Sequence, residues 1–219
     1  METTSMQMSR LLAYIGPSVN SYLELMNRKY RNYDPGKYIY IQLCQLGNEA
    51  FLSDKYIELM YITLHAWNMN SRGASLVGYE QFKDSIRKNE DRIRKLSYQR
   101  IESVSLASVK DDIIYLFNNL SVVPETQKSR FVAMSKTLHF LCPNLLIPMD
   151  RKFTLQIYGG TADGTIEAQF RKYWRITQDI QQFVSERSLE KEIDLSGWNQ
   201  NIPKIVDNII IGKGMEKNG

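Results

Sequence analysis

Asp150 is followed directly by Arg151 and Lys152, and this triplet comes after a proline-punctuated stretch, Pro143-Asn144-Leu145-Leu146-Ile147-Pro148-Met149. Upstream runs a helix-like segment, Ser129 to Cys142 (SRFVAMSKTLHFLC), and the residues from Asp150 onward read as the opening of a second helix. A carboxylate at a helix mouth beside two cations has a chemical use. It can stabilise a positive centre that forms close to a bound polyanion. Asp is also a preferred N-cap, and the two uses are compatible, because a capping carboxylate can still face a ligand.

A second set of residues with useful chemistry is Trp67-Asn68-Met69-Asn70-Ser71-Arg72-Gly73. The Trp67 indole can stack on a nucleobase, Asn68 and Asn70 can contact its hydrogen-bonding edge, and Arg72 can hold a phosphate. The structural alternative is that Trp67 continues the apolar stripe of its helix and that Asn-Ser-Arg-Gly is an ordinary helix terminus and turn. Lys83 to Arg100 (KDSIRKNEDRIRKLSYQR) carries seven Lys or Arg against three acids. It could follow a phosphate backbone, but its partly alternating signs beside an apolar stripe favour a solvated helix face.

Helical periodicity dominates the elements that must position these residues. Asp54 to Met69 aligns Tyr56, Met60, Thr63, Leu64 and Trp67 on one face behind a Ser53 or Asp54 cap. Tyr79 to Leu96 reads as one amphipathic helix, followed by Ser105 to Asn119. Ser129 to Leu141 buries Phe131, Met134, Leu138 and Leu141, which leaves Lys136 and His139 on its exposed side. Ile166 to Arg187 forms a long helix, and a last one starts at Pro203, a favoured first-turn residue. Tyr38 to Leu43 (YIYIQL) is a short apolar run compatible with a strand, and Gly212 to Gly219 reads as a frayed, disordered tail. The expectation is an all-α, compact chain of about eight helices, with residues 1–219 forming a single helical domain.

The run Phe131 to Tyr158, FVAMSKTLHFLCPNLLIPMDRKFTLQIY, resembles the second half of the signature of helix-hairpin-helix DNA glycosylases. That signature has a helix, a short loop, Pro-x-Asp, and a helix whose first turns carry basic residues. The chain departs from it upstream. Where the family has a Leu-Pro-Gly-x-Gly-like turn that holds a DNA phosphate, this chain has Val123-Pro124-Glu125-Thr126-Gln127-Lys128-Ser129-Arg130, without glycine. Phosphate gripping at a helix N-terminus remains available through Lys128, Ser129 and Arg130.

The resemblance implies a two-lobed helical arrangement with a cleft, a double-stranded DNA partner, a monomer and no cofactor. It makes Asp150 the catalytic carboxylate and adds Arg151 and Lys152 to the backbone contacts. Cleavage of an N-glycosidic bond creates an oxocarbenium-like sugar. A fixed carboxylate about 4 Å away is worth about 4 kcal/mol at an effective dielectric near 20. In some members of the family a lysine attacks the sugar. Lys128 is its counterpart by position and Lys136 the rival, so hydrolysis to an abasic site is the expected outcome, in repair or in defence against phage DNA carrying modified bases. A helical nucleic-acid-binding or regulatory module without catalysis is the alternative, and a protein-interaction scaffold a third.

Composition sets outer limits. With 219 residues, 43% hydrophobic and 24% charged, the chain is an ordinary globular one, and its net charge of +4 favours acidic partners without demanding them. Cys44 and Cys142 are too few for a disulfide framework or an iron–sulfur cluster, and both read as small core residues. His65 lacks metal-ligand spacing, so no zinc site is expected. The opening METTSMQMSR has no signal-peptide pattern and no apolar run reaches membrane-spanning length, so the expected location is the cytoplasm, with no membrane contact.

Overall fold

The computed structural model describes residues 9–29, 34–70 and 75–216. They form eleven α-helices and one 3-10 turn, with no strand among the described residues. The helices are α1 (Arg10–Ile15), α2 (Val19–Lys29), α3 (Pro35–Ala50), α4 (Asp54–Ala66), α5 (Tyr79–Arg87) and α6 (Glu90–Ser97). They continue with α7 (Leu106–Asn119), α8 (Phe131–Leu141), α9 (Thr154–Ile157), α10 (Ile166–Ser185) and α11 (Ile202–Glu216). No helix among the described residues is long and apolar enough to cross a membrane.

Side-chain caps set several starts. Asp34, Ser53 and Thr165 accept the backbone N–H groups of Lys37, Tyr56 and Ala168 at the heads of α3, α4 and α10. The head of α1 is capped twice. Ser9 accepts from Leu12 N, and the Asp179 carboxylate of α10 accepts from Arg10 N and Leu11 N, both at 3.0 Å. The Tyr158 hydroxyl donates to the same carboxylate, which ties the first helix to the last third of the chain.

Two helices form the interior. Every residue of α8 except Val132 and Lys136 is buried, and α11 is buried from Ile202 through Gly212. A helix apolar on nearly all sides belongs in the middle of a bundle rather than on its surface. Helix α11 lies along α2, with α1, α9 and α10 also against it, so the two ends of the chain pack together.

Several expectations from the sequence are corrected. Tyr38–Leu43 belongs to α3: the Asp34 cap and Pro35 start a helix, and Gly36, Tyr40 and Leu43 make its buried stripe. The predicted helix over Tyr79–Leu96 is two helices, because Asn89 donates its side-chain amide to Ser85 O at 2.7 Å and ends α5. The helix expected to open at Asp150 is a turn followed by the four-residue α9. The predicted tail from Gly212 is helical as far as Glu216, and Gly212 and Gly214 are buried; residues 217–219 lie outside the described residues. A methyl group on Gly212 would collide with the backbone of Tyr22 in α2, and one on Gly214 with the Phe153 ring. Gly212 permits the α2–α11 crossing that a side chain would wedge apart, and Gly214 admits the Phe153 ring.

Gly212→Ala is therefore expected to destabilise the protein by about 1–3 kcal/mol despite the better helix propensity of alanine. Urea unfolding checks it, and a variant as stable as the parent would show that the crossing is loosely packed.

Candidate active site

Asp150, Lys136, Trp67 and Asn68 line one cavity of about 240 Å³, together with Trp198, Lys204, Asp207 and Asp34. Its walls come from the head of α3, the end of α4, the middle of α8, the Pro148–Asp150 loop and α11. The volume lies below the roughly 300–1,000 Å³ of sites for drug-sized ligands, so it suits a single ring system.

Helix α8 fixes the loop that carries Asp150. The Ser135 hydroxyl accepts from Met149 N at 3.1 Å, and His139 bonds Leu146 O at 2.7 Å. Asp150 Oδ1 accepts from Phe153 N at 2.6 Å, so the acid caps its own turn. Its Oδ2 makes no hydrogen bond among the described residues.

The aromatic wall follows from the end of α4. Trp67 donates its indole N–H to Gly36 O at 3.3 Å, and a methyl group on Gly36 would press on the indole at 3.2 Å. Its ring packs on Phe140 at 4.9 Å, Tyr40 at 5.2 Å and Trp198 at 6.2 Å between centroids. Asn68 takes a left-handed backbone (φ 61°), a conformation Asn tolerates better than most residues, and so ends the helix at the cavity.

Two lysines meet this wall. Lys136 Nζ donates to Trp67 O at 3.1 Å and lies 5.4 Å from the indole centroid. Burial lowers its pKa to about 8, against the opposing pull of Asp150 and Asp207. Lys204 is more deeply enclosed. Its Nζ donates to Asp207 at 2.5 Å and Asn208 at 2.8 Å and lies 5.3 and 4.9 Å from the centroids of Trp67 and Trp198. Burial raises the Asp207 carboxyl, and Lys204 beside it counters that shift.

A buried chain of hydrogen bonds supports Lys204 from behind. A carbonyl only accepts, so His139 must donate to Leu146 O through Nδ1, and its Nε2 accepts from the Tyr40 hydroxyl at 2.8 Å. Tyr40 in turn accepts from the Asn201 amide at 3.1 Å, whose oxygen accepts from Lys204 N at 2.9 Å. Burial pushes the His139 pKa down to about 3, which keeps this tautomer neutral.

The expected site residues divide. Of the two residues predicted on an exposed face, His139 is buried and Lys136 is half-buried on the cavity wall, because α8 is enclosed by other helices. Lys128, the lysine favoured by position, is exposed and does not line the cavity. The expected phosphate grip is committed elsewhere. Ser129 donates to Ala162 O, and the Arg130 guanidinium donates to Asn118 O and Leu120 O at the end of α7. Arg151 and Lys152 are exposed in the turn after Asp150. Asn70 lies off the cavity and accepts from Leu76 N, while Arg72 is outside the described residues. The cations of Lys83–Arg100 are mostly ion-paired, with Asp54, Glu90, Glu102 and Asp112.

Trp198, Lys204 and Asp207 escaped the sequence reading. Their signal was present: Lys204, Asp207 and Asn208 recur at i, i+3 and i+4 and interrupt an otherwise apolar helix (IPKIVDNIII). A larger cavity of about 400 Å³ lies beyond Tyr40 and Phe140, but among the described residues no carboxylate lines it, and the cation that does, Arg94, is paired with Glu90. No family model, curated protein or solved structure matches this chain.

A histidine held neutral makes folding acid-sensitive. The unfolded chain takes up this proton below about pH 6.5 and the folded one only near pH 3, so stability falls as pH falls through that window. The steepest contribution is about 1.4 kcal/mol per pH unit. Urea unfolding of the wild type and His139→Gln between pH 7 and 4 is expected to show a shallower pH dependence in the variant, and equal slopes would contradict the assignment.

Proposed function

We propose that this protein extrudes a nucleobase from double-stranded DNA and hydrolyses its N-glycosidic bond, leaving an abasic site. The observation that supports this reading is the convergence on one ring-sized cavity of Asp150, two tryptophans and two lysines. An enzyme that acts on a base must take it out of the stack and receive it in a pocket with aromatic and polar walls. In this reading Trp67 and Trp198 meet the flipped base, Asn68 contacts its edge, and Asp150 faces the sugar at the mouth. Asp150 Oδ2, which makes no hydrogen bond among the described residues, stabilises the developing sugar cation and takes a proton from the attacking water. Exposed Arg151 and Lys152, with Lys128 further off, contact phosphates. In this reading the cavity lined by α3, α4, α8 and α11 serves as the cleft of a two-lobed glycosylase-like arrangement.

Lys136 supports a second step. An amine with a pKa near 8 in the same cavity as Asp150 is partly unprotonated at neutral pH and can condense with the C1′ aldehyde of the ring-opened abasic site, releasing water, to form a Schiff base. Borohydride trapping of a DNA adduct is expected to rise as pH increases through about 8 and to vanish in Lys136→Met. Trapping that persists in that variant would assign the amine elsewhere.

The main test incubates the protein with duplexes carrying uracil, alkylated, oxidised and glucosylated hydroxymethylated bases, followed by hot alkali. Strand breaks are expected for the wild type and a loss of about 10³-fold or more in Asp150→Asn, whose fold persists because Asn caps as well as Asp. Binding of DNA with no breaks on any duplex would favour a non-catalytic nucleic-acid-binding module instead.

A further inference from the structure

Resting on that reading, we propose that Lys204 receives the leaving base, and that the substrate is a neutral base departing as an anion rather than an N-alkylated, cationic purine. When the bond between C1′ and the ring nitrogen breaks, the electron pair leaves with the base. Negative charge then spreads onto its ring nitrogens and carbonyl oxygens, while the sugar becomes cationic. Water adds to C1′ and gives its proton to Asp150, the base anion takes up a proton from solvent as it departs, and Asp150 returns its own to solvent. Asp150 answers only the positive half of this separation, so the negative half needs a donor deeper in the cavity.

Lys204 is placed for it. Two of its N–H groups are held by Asp207 and Asn208, and the third makes no hydrogen bond among the described residues. Only 3% of the residue is exposed, and it lines the same cavity as Asp150 from the α11 side. A donor fixed in this way stabilises developing charge without reorganising.

The tryptophans set the class of base. A cationic base would be recognised by stacking on an indole face. Here Trp67 already faces the ammonium groups of Lys136 and Lys204, at 5.4 and 5.3 Å, and Trp198 faces Lys204 at 4.9 Å. A cationic base stacked on either ring would share it with an ammonium of like charge.

The experiment measures single-turnover cleavage of two groups of duplexes. One group carries uracil, 5-fluorouracil, hypoxanthine, 8-oxo-7,8-dihydroguanine or glucosylated 5-hydroxymethylcytosine; the other carries 7-methylguanine or 3-methyladenine. The wild type is expected to cleave at least one member of the first group about 10-fold or more faster than either methylated purine. Lys204→Met with Asp207→Asn, a pair that leaves no buried charge alone, is expected to slow the favoured base by about 100-fold. It should slow the methylated purines far less. Preference for the methylated purines, or equal slowing of both groups, overturns the role of Lys204 and leaves the glycosylase reading standing. No cleavage of any duplex defeats that reading and this one with it. The wild type's choice between the groups needs no variant, so the test survives if the double variant does not fold.

Discussion

The Lys204 ammonium is held out of water by the Asp207 carboxylate and the Asn208 amide, against the faces of two indole rings. A cation in that position persists only if its partners are kept in place, and stripping one partner from such a pair typically costs about 3–5 kcal/mol. Much of the surrounding structure can be read as meeting that demand. Helix α11 supplies both charges one turn apart, and Asn199 braces Asn208 from the preceding loop. The α3–α4 pair delivers Trp67 against the ammonium, with Gly36 absent of any side chain where the indole must sit. An ion pair of this kind is weak evidence for stability, since apolar residues would often fill the space as well. Its position on a cavity wall is the better explanation for its presence.

From Lys204 the same network reaches Asp150 by way of the core. Asn201, Tyr40 and His139 link α11 through α3 to α8, and α8 holds the Leu146–Met149 loop through His139 and Ser135. The Lys204 backbone and the loop that carries Asp150 are thus linked by neutral hydrogen-bonding groups rather than by further charges. Neutrality matters here. A protonated His139 would place a second cation behind Lys204, and burial prevents it.

The sequence made the helical class and most of the helices legible because the apolar spacing of α4, α7, α8 and α10 is regular. It misread the places where local signals compete. In Tyr38–Leu43 alternating aromatic and aliphatic residues imitate a strand, and only the Asp34-Pro35 start marks a helix. Gly212 and Gly214 look like a fraying end when they are a packing device, a distinction that depends on Tyr22 and Phe153 far away in sequence. Asp150, Trp67 and Asn68, singled out from local chemistry, and Lys136, named from the resemblance, line one cavity. Lys204, Asp207 and Trp198 were not, because their meaning arises only when the fold sets α11 and the loop before it on the same cavity as α4 and α8. Arg130 shows the opposite error. Its charge beside a helix start suggested phosphate, while its guanidinium closes the carbonyl end of α7.

In the proposed function the Asp150 carboxylate lies beside a sugar that becomes positively charged. The most direct measurement compares the affinity of the protein for two duplexes that differ only at one residue, a cationic pyrrolidine abasic analogue and its uncharged tetrahydrofuran counterpart. A ligand resembling the transition state binds more tightly than one resembling the ground state, and a preference of about 100-fold for the pyrrolidine duplex is predicted for the wild type. Asp150→Asn should abolish the preference while still binding the uncharged duplex. Equal affinities in the wild type, or a preference that survives in Asp150→Asn, would contradict the account.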